Sequence, residues 1–312
     1  MEELTTTRLN EMIDPILHIW GWEIPVYLFL GGLVAGFMII SGYFTLKGHH
    51  KHDYFSSFYL PHVSLAMLSL GMFALFLDLE HKLYVWRLYT TFQITSPMSW
   101  GAWILILVYP ALLLNTLVSI PEPFSNRIHL FDKFSEKINR HPYLIKNIGI
   151  LNMILGAVLG MYTGVLLSGL GARPLWSSSM LWILFLTSGL SAAAAFVHLV
   201  TTDHIERVLS AKADNAFLIF ELLIFALFIV GMLSSTEAHQ NGIHLILTGS
   251  YAAVFWVFVI GTGIIIPLII QLLAVNHKIN HTPIAPIMVI TGGLLLRFVI
   301  VYAGQISHWT RI

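Results

Sequence analysis

Eight separate stretches of mostly apolar residues constrain this chain more than any other feature. They run approximately over Ile24–Leu46, Phe58–Leu77, Trp100–Ile120, Ile148–Leu170, Met180–Val200, Asn215–Leu233, Ile243–Val275 and Ile284–Ala303. A helix needs about 20 residues to cross the hydrocarbon of a bilayer. Lipid offers no partner to a loose backbone N–H or C=O, so such stretches have to be helices. The expectation is an all-α integral membrane protein with eight transmembrane helices. Composition agrees, with 57% apolar and 10% charged residues, against about 25% charged in soluble domains. The seventh stretch is too long for one straight crossing. Pro267 is expected to kink it, leaving part of it tilted or outside the bilayer. The first stretch follows an acidic start (Glu2, Glu3, Glu11), outruns a signal-peptide core and precedes no small-residue cleavage site. It reads as a retained helix.

A formal net charge of zero excludes a broad basic face for nucleic acid. With no cysteine, the chain holds no disulfide, thiolate zinc site, cysteine-ligated iron–sulfur cluster or cysteine nucleophile. Orientation follows from Lys and Arg in the short loops. Loops after the odd-numbered helices hold Lys47, Lys51, Arg127, Lys133, Lys137, Arg140, Lys146, Arg207, Lys212 and Lys278. The opposite side holds Arg8, Lys82, Arg87, Arg173 and Arg311, with Arg297 inside the eighth helix. This bias puts both termini on the outer side.

Gly156, Gly160 and Gly164 form a small-residue stripe on helix four, the kind that lets two backbones approach closely in lipid. Gly31, Gly32 and Gly36 do the same on helix one. Helices one and five share a Gly-Leu-x-Ala piece (Gly32–Ala35 and Gly189–Ala192), a hint of a duplicated four-helix unit. The chain is therefore read as one polytopic domain over 1–312, with four-helix halves at 1–170 and 171–312. The polar segment from Pro121 to Lys146 is expected to form a short surface helix.

Polar side chains inside hydrocarbon are costly and mark function by default. Here they gather toward the outer ends of several helices. Glu23 and Tyr27 share a face of helix one at i, i+4 spacing. Asp78, Glu80 and His81 close helix two in "LFLDLEHKLYVWRLY", and Ser96 and Ser99 open helix three in "SPMSWGAW". Tyr162 lies in the outer half of helix four, ahead of Arg173 and Trp176. Such a cluster suits a quinone head group, which needs hydrogen bonds at two oxygens, a group that exchanges protons, and apolar walls. The competing reading is an interfacial aromatic belt with hydrated acids at helix ends.

These residues also carry a resemblance. "YLFLGGLVAG" in helix one, "LDL" closing helix two, "SPMSWGAW", "YTGVLLS" with "RPLW", "LFLTSGLSAAAA" in helix five and "GGLLLRFVIVYAGQ" in helix eight follow one another in collinear order. The sequence resembles the integral-membrane subunit of the polysulfide reductase (NrfD/PsrC-like) family over nearly its whole length. The resemblance implies two four-helix bundles without haem, binding a quinol, menaquinol as the usual donor, near the outer face of a prokaryotic cytoplasmic membrane. It implies electron exchange with a four-cluster ferredoxin-like iron–sulfur subunit and, through it, with a molybdopterin or multihaem catalytic subunit. The family's quinone-contacting positions fall on Glu23, Tyr27 and Tyr162, with Asp78, Ser99 and Arg173 as further pocket candidates. The best-known member has an amide and an imidazole where this chain has Glu23 and Tyr27, which makes Glu23 a candidate proton acceptor. Lys82, Arg87 and Arg173 are candidates for docking the partner.

His198, Glu221 and His62 toward the inner half, with Arg297 nearer the outer half of helix eight, are candidates for a partial proton route together with Asn115, Asn152, Ser188 and Ser191. His62 and His198 also raise a bis-histidine haem, which the resembled family lacks. The "KGHHKHD" loop (Lys47–Asp53) is read as a hydrated inner loop that could bind metal adventitiously. Two other classes compete: an ion or solute transporter, which Glu221 and the duplication hint would suit, and a purely structural membrane anchor.

Overall fold

In the computed structural model, the described residues are 20–48, 54–118, 135–171, 173–276 and 282–308. Eight helices there are long and apolar enough to cross a membrane. They are α1 (Glu23–Leu46), α2 (Leu60–Asp78), α3 (Pro97–Val118), α4 (Pro142–Ser168), α5 (Leu181–Val200), α6 (His204–Leu233), α7 (Val254–Val275) and α8 (Ile284–Gln305). The expectation of an all-α, eight-span membrane protein therefore holds. Local chemistry sets several starts. Pro61 and Pro142 stand in the first turns of α2 and α4, where a missing N–H costs nothing. Asp203 caps α6 by accepting the Glu206 N–H at 2.8 Å.

The chain turns at every crossing, so the start of α1 and the end of α8 lie at one end of the molecule, termed here the upper face. They are joined directly. The Trp20 N–H donates to Gln305 Oε1 and Gln305 Nε2 donates to the Trp20 carbonyl, both at 3.1 Å. Packing closes two four-helix rings, α1–α2–α3–α4 and α5–α6–α7–α8, with α1 also lying against α5 and α8, and α4 against α5.

Glycine makes the seam between the rings. A Cβ on Gly156 would meet the Ala35 carbonyl at 2.8 Å, and one on Gly164 the Leu181 carbonyl at 2.5 Å. The stripe on α4 thus faces α1 at its lower end and α5 at its upper end. The two Gly-Leu-x-Ala pieces pack on each other, since a Cβ on Gly189 would lie 2.8 Å from the Gly32 carbonyl carbon. Between helices in lipid, this close backbone approach supplies the dispersion energy that the hydrophobic effect cannot.

The seventh apolar stretch resolves into two elements. An amphipathic surface helix, Glu237–Leu247, ends at Thr248, and the chain re-enters as a π-wound segment, Val254–Ile265, before α winding resumes at Ile266. The break therefore falls at 248–251 rather than at Pro267, which instead marks the change of winding. Part of the polar segment after α3 is helical at 135–139, pinned by Asn139 Nδ2 donating to the Val118 carbonyl at 3.2 Å. Residues 121–134 of that segment and most of the "KGHHKHD" loop lie outside the described residues.

The lower face is fastened by Glu206. Its carboxylate accepts the backbone N–H groups of Phe55 (3.1 Å) and Ser56 (2.7 Å), and the Thr201 hydroxyl. A buried acid on α6 thereby holds the short helix Phe55–Phe58, which follows α1, against the second ring.

Candidate functional site

At the upper end of the first ring, α1, α2, α3 and α4 enclose a cleft of about 80 Å³. Its polar lining is Tyr27 from α1, Asp78 from α2, Tyr162 from α4 and Tyr89 from the α2–α3 loop. Ile24, Met72, Leu75, Leu105 and Leu166 supply apolar walls, and Trp20 closes one side. Trp20 is held in turn by stacking on Trp176 at 5.2 Å, and Trp176 Nε1 donates to the Ile300 carbonyl at 2.9 Å.

Tyr27 and Tyr162 are both buried, and their phenols lie close enough to interact electrostatically. Tyr27 interacts in the same way with Tyr89. Tyr162 reaches across to α3 because position 101 is glycine. A Cβ there would stand 2.6 Å from Tyr162 Cε1, and nearer still to Cζ and the hydroxyl oxygen. Tyr89 lies outside the spans. Partial burial, helped by the neighbouring Tyr109 phenol, raises its pKa from the ordinary tyrosine value, so the group stays a protonated donor.

A wider vestibule of about 480 Å³ opens beside the cleft toward the upper face. Leu79, Leu88 and Met98 line both spaces and form the wall between them. Glu80, His81, Arg87 and Ser99 line only the vestibule. The stretch Asp78–His81 thus leads from the cleft outward, with an acid at one end and an acid and an imidazole at the other.

The fold separates the sequence candidates clearly. Tyr27, Tyr162 and Asp78 share the cleft. Glu23, one turn nearer the face than Tyr27, lines neither the cleft nor the vestibule; its carboxyl group folds over Gly21, in electrostatic range of Asp78 and Tyr302. Ser99 lines the vestibule, where Oγ accepts the Gln93 N–H at 3.0 Å and donates to the Thr91 carbonyl at 3.3 Å. Arg173 belongs to neither space. It is 1% exposed, and its Nη1 donates to the Ser307 carbonyl and meets His308 Nδ1, both at 3.0 Å. Its charge ties the α4–α5 loop to the end of α8, whereas Lys82 and Arg87 are exposed.

The second ring holds the other ionisable cluster. Arg297 is fully buried, and its Nη1 donates to Ser188 Oγ at 2.5 Å and the Gly293 carbonyl at 3.1 Å. Its Nη2 donates to the Phe185 carbonyl at 2.9 Å, with the guanidinium over the Phe185 ring at 4.8 Å. Glu221 hydrogen bonds with Ser188 and is in electrostatic range of both Arg297 and Asp214. Asp214 accepts from Ser191 Oγ at 2.6 Å and from Gln271 Nε2 at 2.7 Å. His198 is buried at the lower end, beside a small pocket of about 150 Å³ shared with Arg207. Asn115 and Asn152 sit apart in the first ring. Asn115 bridges Ser41 (3.1 Å) and Thr45 (3.3 Å), and Asn152 donates to the Ala111 carbonyl at 3.1 Å. His62 Nδ1 engages the Phe58 carbonyl at 3.1 Å. No group of three or more His, Asp or Glu suited to a metal occurs among the described residues.

Against known proteins, the family model for polysulphide reductase, NrfD, matches residues 8–308. The chain belongs to the NrfD polysulphide reductase family. Among relatives of this NrfD-family protein, a polysulfide reductase chain of Wolinella succinogenes is 28% identical, over 92% of the present sequence and 94% of its own length. The protein NrfD homolog of Haemophilus influenzae is 30% identical, over 93% and 95%. A selenate reductase subunit of Mesobacillus selenatarsenatis is 21% identical, over 92% and 74%.

Sequence reasoning missed three residues of these two clusters in this NrfD-family protein. Tyr89 is the last letter of the quoted helix-two stretch, and Gly101 lies within the quoted helix-three motif. Asp214 immediately precedes the residue at which the sixth apolar stretch begins. Its spacing of two turns from Glu221 was the available signal.

Proposed function

We propose that this chain is the quinol-oxidising, or quinone-reducing, membrane subunit of a respiratory oxidoreductase complex. The observation that carries the reading is the convergence of Tyr27, Asp78 and Tyr162, from three different spans, on one apolar-walled cleft. The donor set fits a quinol head group, with two phenols to hold ring oxygens and carboxyl groups to take up protons. A bound quinol supplies two electrons and two protons. Tyr27 and Tyr162 orient its ring and keep water from it. Asp78 in the cleft receives protons, and Glu23, in electrostatic range of it, passes them toward the upper face. That two relatives are named as parts of a polysulfide reductase and a selenate reductase supports membership of a reductase complex.

Electrons pass, in this reading, to a ferredoxin-like iron–sulfur subunit docked on the upper face and onward to a molybdopterin or multihaem catalytic subunit. Exposed Lys82 and Arg87 are the proposed docking cations. The Lys and Arg bias supports assigning the upper face to the periplasmic side of a prokaryotic cytoplasmic membrane, with menaquinol as donor. Electron transfer on one face moves no charge across the membrane. Energy coupling would use the second ring, where His198, Glu221 and Arg297, joined by Asp214, form the proposed proton route.

The test is quinol oxidation by the intact complex in native membranes. Tyr27→Phe and Tyr162→Phe are each expected to lower turnover about tenfold, the worth of one lost hydrogen bond near 1.4 kcal/mol. Wild-type turnover in both variants would overturn the reading. The buried Asp214–Glu221–Arg297 cluster favours ion transport as a second reading, which a proton flux in vesicles holding this protein without partners would support.

A further inference from the structure

The cleft has one wall built from a weakly held element. The 3-10 turn Lys82–Tyr84 and the short helix Trp86–Thr90 contain no buried residue, and the short helix packs mainly on α3. Only Leu88 and Tyr89 of this segment reach the cleft, and Leu88 also lines the vestibule. Tyr89 interacts electrostatically with Tyr27 on α1 and with Tyr109 on α3. Tyr109 stands twelve residues into α3, about 18 Å along the helix. The Tyr89 phenol therefore faces from the loop into the bundle, toward α1 and α3. Tyr84, earlier in the same loop, behaves differently: it is 54% exposed, with the Arg87 guanidinium 4.8 Å from its ring centre.

Volume supplies the second argument. The cleft measures about 80 Å³, whereas pockets for drug-sized ligands run to about 300–1,000 Å³ and even a benzene-sized cavity to about 150 Å³. A flat aromatic head group enters only if a wall moves. The α1 and α4 walls belong to long spans whose backbones meet through glycine below the cleft, at Gly42 with Gly149 and at Ala35 with Gly156. The loop wall has no such support and no buried residue, and behind it lies the vestibule of about 480 Å³.

We infer that Tyr89 is the movable wall of the cleft and a ligand-contacting residue. The short helix shifts with Leu88 and Tyr89 to join cleft and vestibule, and on return sets the Tyr89 hydroxyl against the ligand ring. The inference rests on the quinol-site reading and adds a third phenol to it. Being protonated, that phenol donates to a ring oxygen, and being loop-borne, it sets the rate of ligand admission.

The experiment is stopped-flow binding of 2-heptyl-4-hydroxyquinoline N-oxide, a fluorescent quinol mimic, to the full-length protein in lipid nanodiscs. Tyr89→Phe keeps the wall and loses the donor, so association stays at the wild-type rate and dissociation speeds up roughly five- to tenfold. Tyr89→Ala removes the wall as well, so association also becomes faster. Leu83→Ala, at an 88% exposed position that lines neither space, changes neither rate. If both Tyr89 variants bind and release the mimic at wild-type rates while Tyr27→Phe releases it faster, the role of Tyr89 is overturned and the quinol site stands. If the wild-type protein does not bind the mimic, both fall together.

Discussion

Replacing Gly101 by alanine is the sharpest single probe of the cleft, because it moves Tyr162 without deleting its hydroxyl. The new Cβ would stand 2.6 Å from Tyr162 Cε1, where ordinary contact begins at 3.4 Å, and the clash at Cζ and the hydroxyl is worse. The ring has to retreat by about 1 Å or more, and overpacking of this kind costs about 1–3 kcal/mol. Alanine returns about 1 kcal/mol of helix propensity, so the net loss of stability is about 0–2 kcal/mol and the protein still folds. Function has no such offset. A phenol displaced from its bound substrate forfeits about 1–1.5 kcal/mol of hydrogen bonding, and a ring driven into a cleft of about 80 Å³ also obstructs it. The expected fall in quinol oxidation is about 10- to 100-fold, measured on the intact complex beside a melting curve. Specificity comes from a double-mutant cycle. In a Tyr162→Ala background the clash is gone, so Gly101→Ala should have almost no further effect. A full effect of Gly101→Ala in that background, or wild-type turnover in the single variant, refutes the steric argument.

Four further outcomes follow from the same geometry. Glu23→Gln should lower the rate of quinol oxidation by the intact complex, and a rate unchanged across pH excludes Glu23 as proton acceptor. Glu206→Ala leaves the buried N–H groups of Phe55 and Ser56 without their acceptor, a cost of about 2–4 kcal/mol. It should lower the melting temperature while spectroscopic binding of a quinol mimic at the opposite face is kept; an unaltered melt would refute the clamp. Arg173→Gln should lower the melting temperature and leave partner capture intact, whereas Lys82→Gln with Arg87→Gln should do the reverse. Pull-down of the iron–sulfur subunit separates the two, and loss of capture by Arg173→Gln alone would count against the assignment. Asp214→Asn should leave the rate of quinol oxidation within about twofold of wild type while abolishing any coupled proton movement in proteoliposomes; a parallel loss of both would argue for a structural role.

Most of the architecture was legible because lipid enforces it. Eight stretches had to be helices, and the spans agree with them in number and order. Their ends were less legible, for a physical reason. Hydropathy stops at the first polar residue, but helical hydrogen bonding continues into the interface. Thus α4 begins at Pro142 instead of near Ile148, and α6 at His204 instead of near Asn215. The seventh stretch misled differently. Pro267 is the visible helix breaker, yet a proline costs least where the winding already changes. The true break lies at a Thr-Gly-Ser-Tyr turn (Thr248–Tyr251), too short and too mixed to register within a long apolar run. The Gly-Leu-x-Ala pieces suggest duplication, and their packing role explains their presence equally well, since each supplies the small residue that the other needs at the crossing.

For the site, the sequence locates residues along each span but not around it. Depth along a helix follows from counting at about 1.5 Å per residue; direction depends on which neighbour each face meets. Tyr27 and Tyr162 are therefore placed toward the upper end, while Arg173, in the loop just beyond α4, is grouped with them although it binds the end of α8. Tyr89 is hidden by the opposite error, since a loop residue at an interface is expected to stay there. Gly101 leaves no signal of its own, because its importance is the absence of an atom where another helix sends a ring. Asp214 shows the principle most plainly. A carboxylate at the edge of an apolar run reads as the edge of the membrane, because an unpartnered charge in hydrocarbon is prohibitive. Its partners are Ser191 on α5 and Gln271 on α7, two spans that no window along α6 can see. The polarity of a membrane helix is thus decided by the bundle around it, and the residues that look like boundaries are the ones to test for function first.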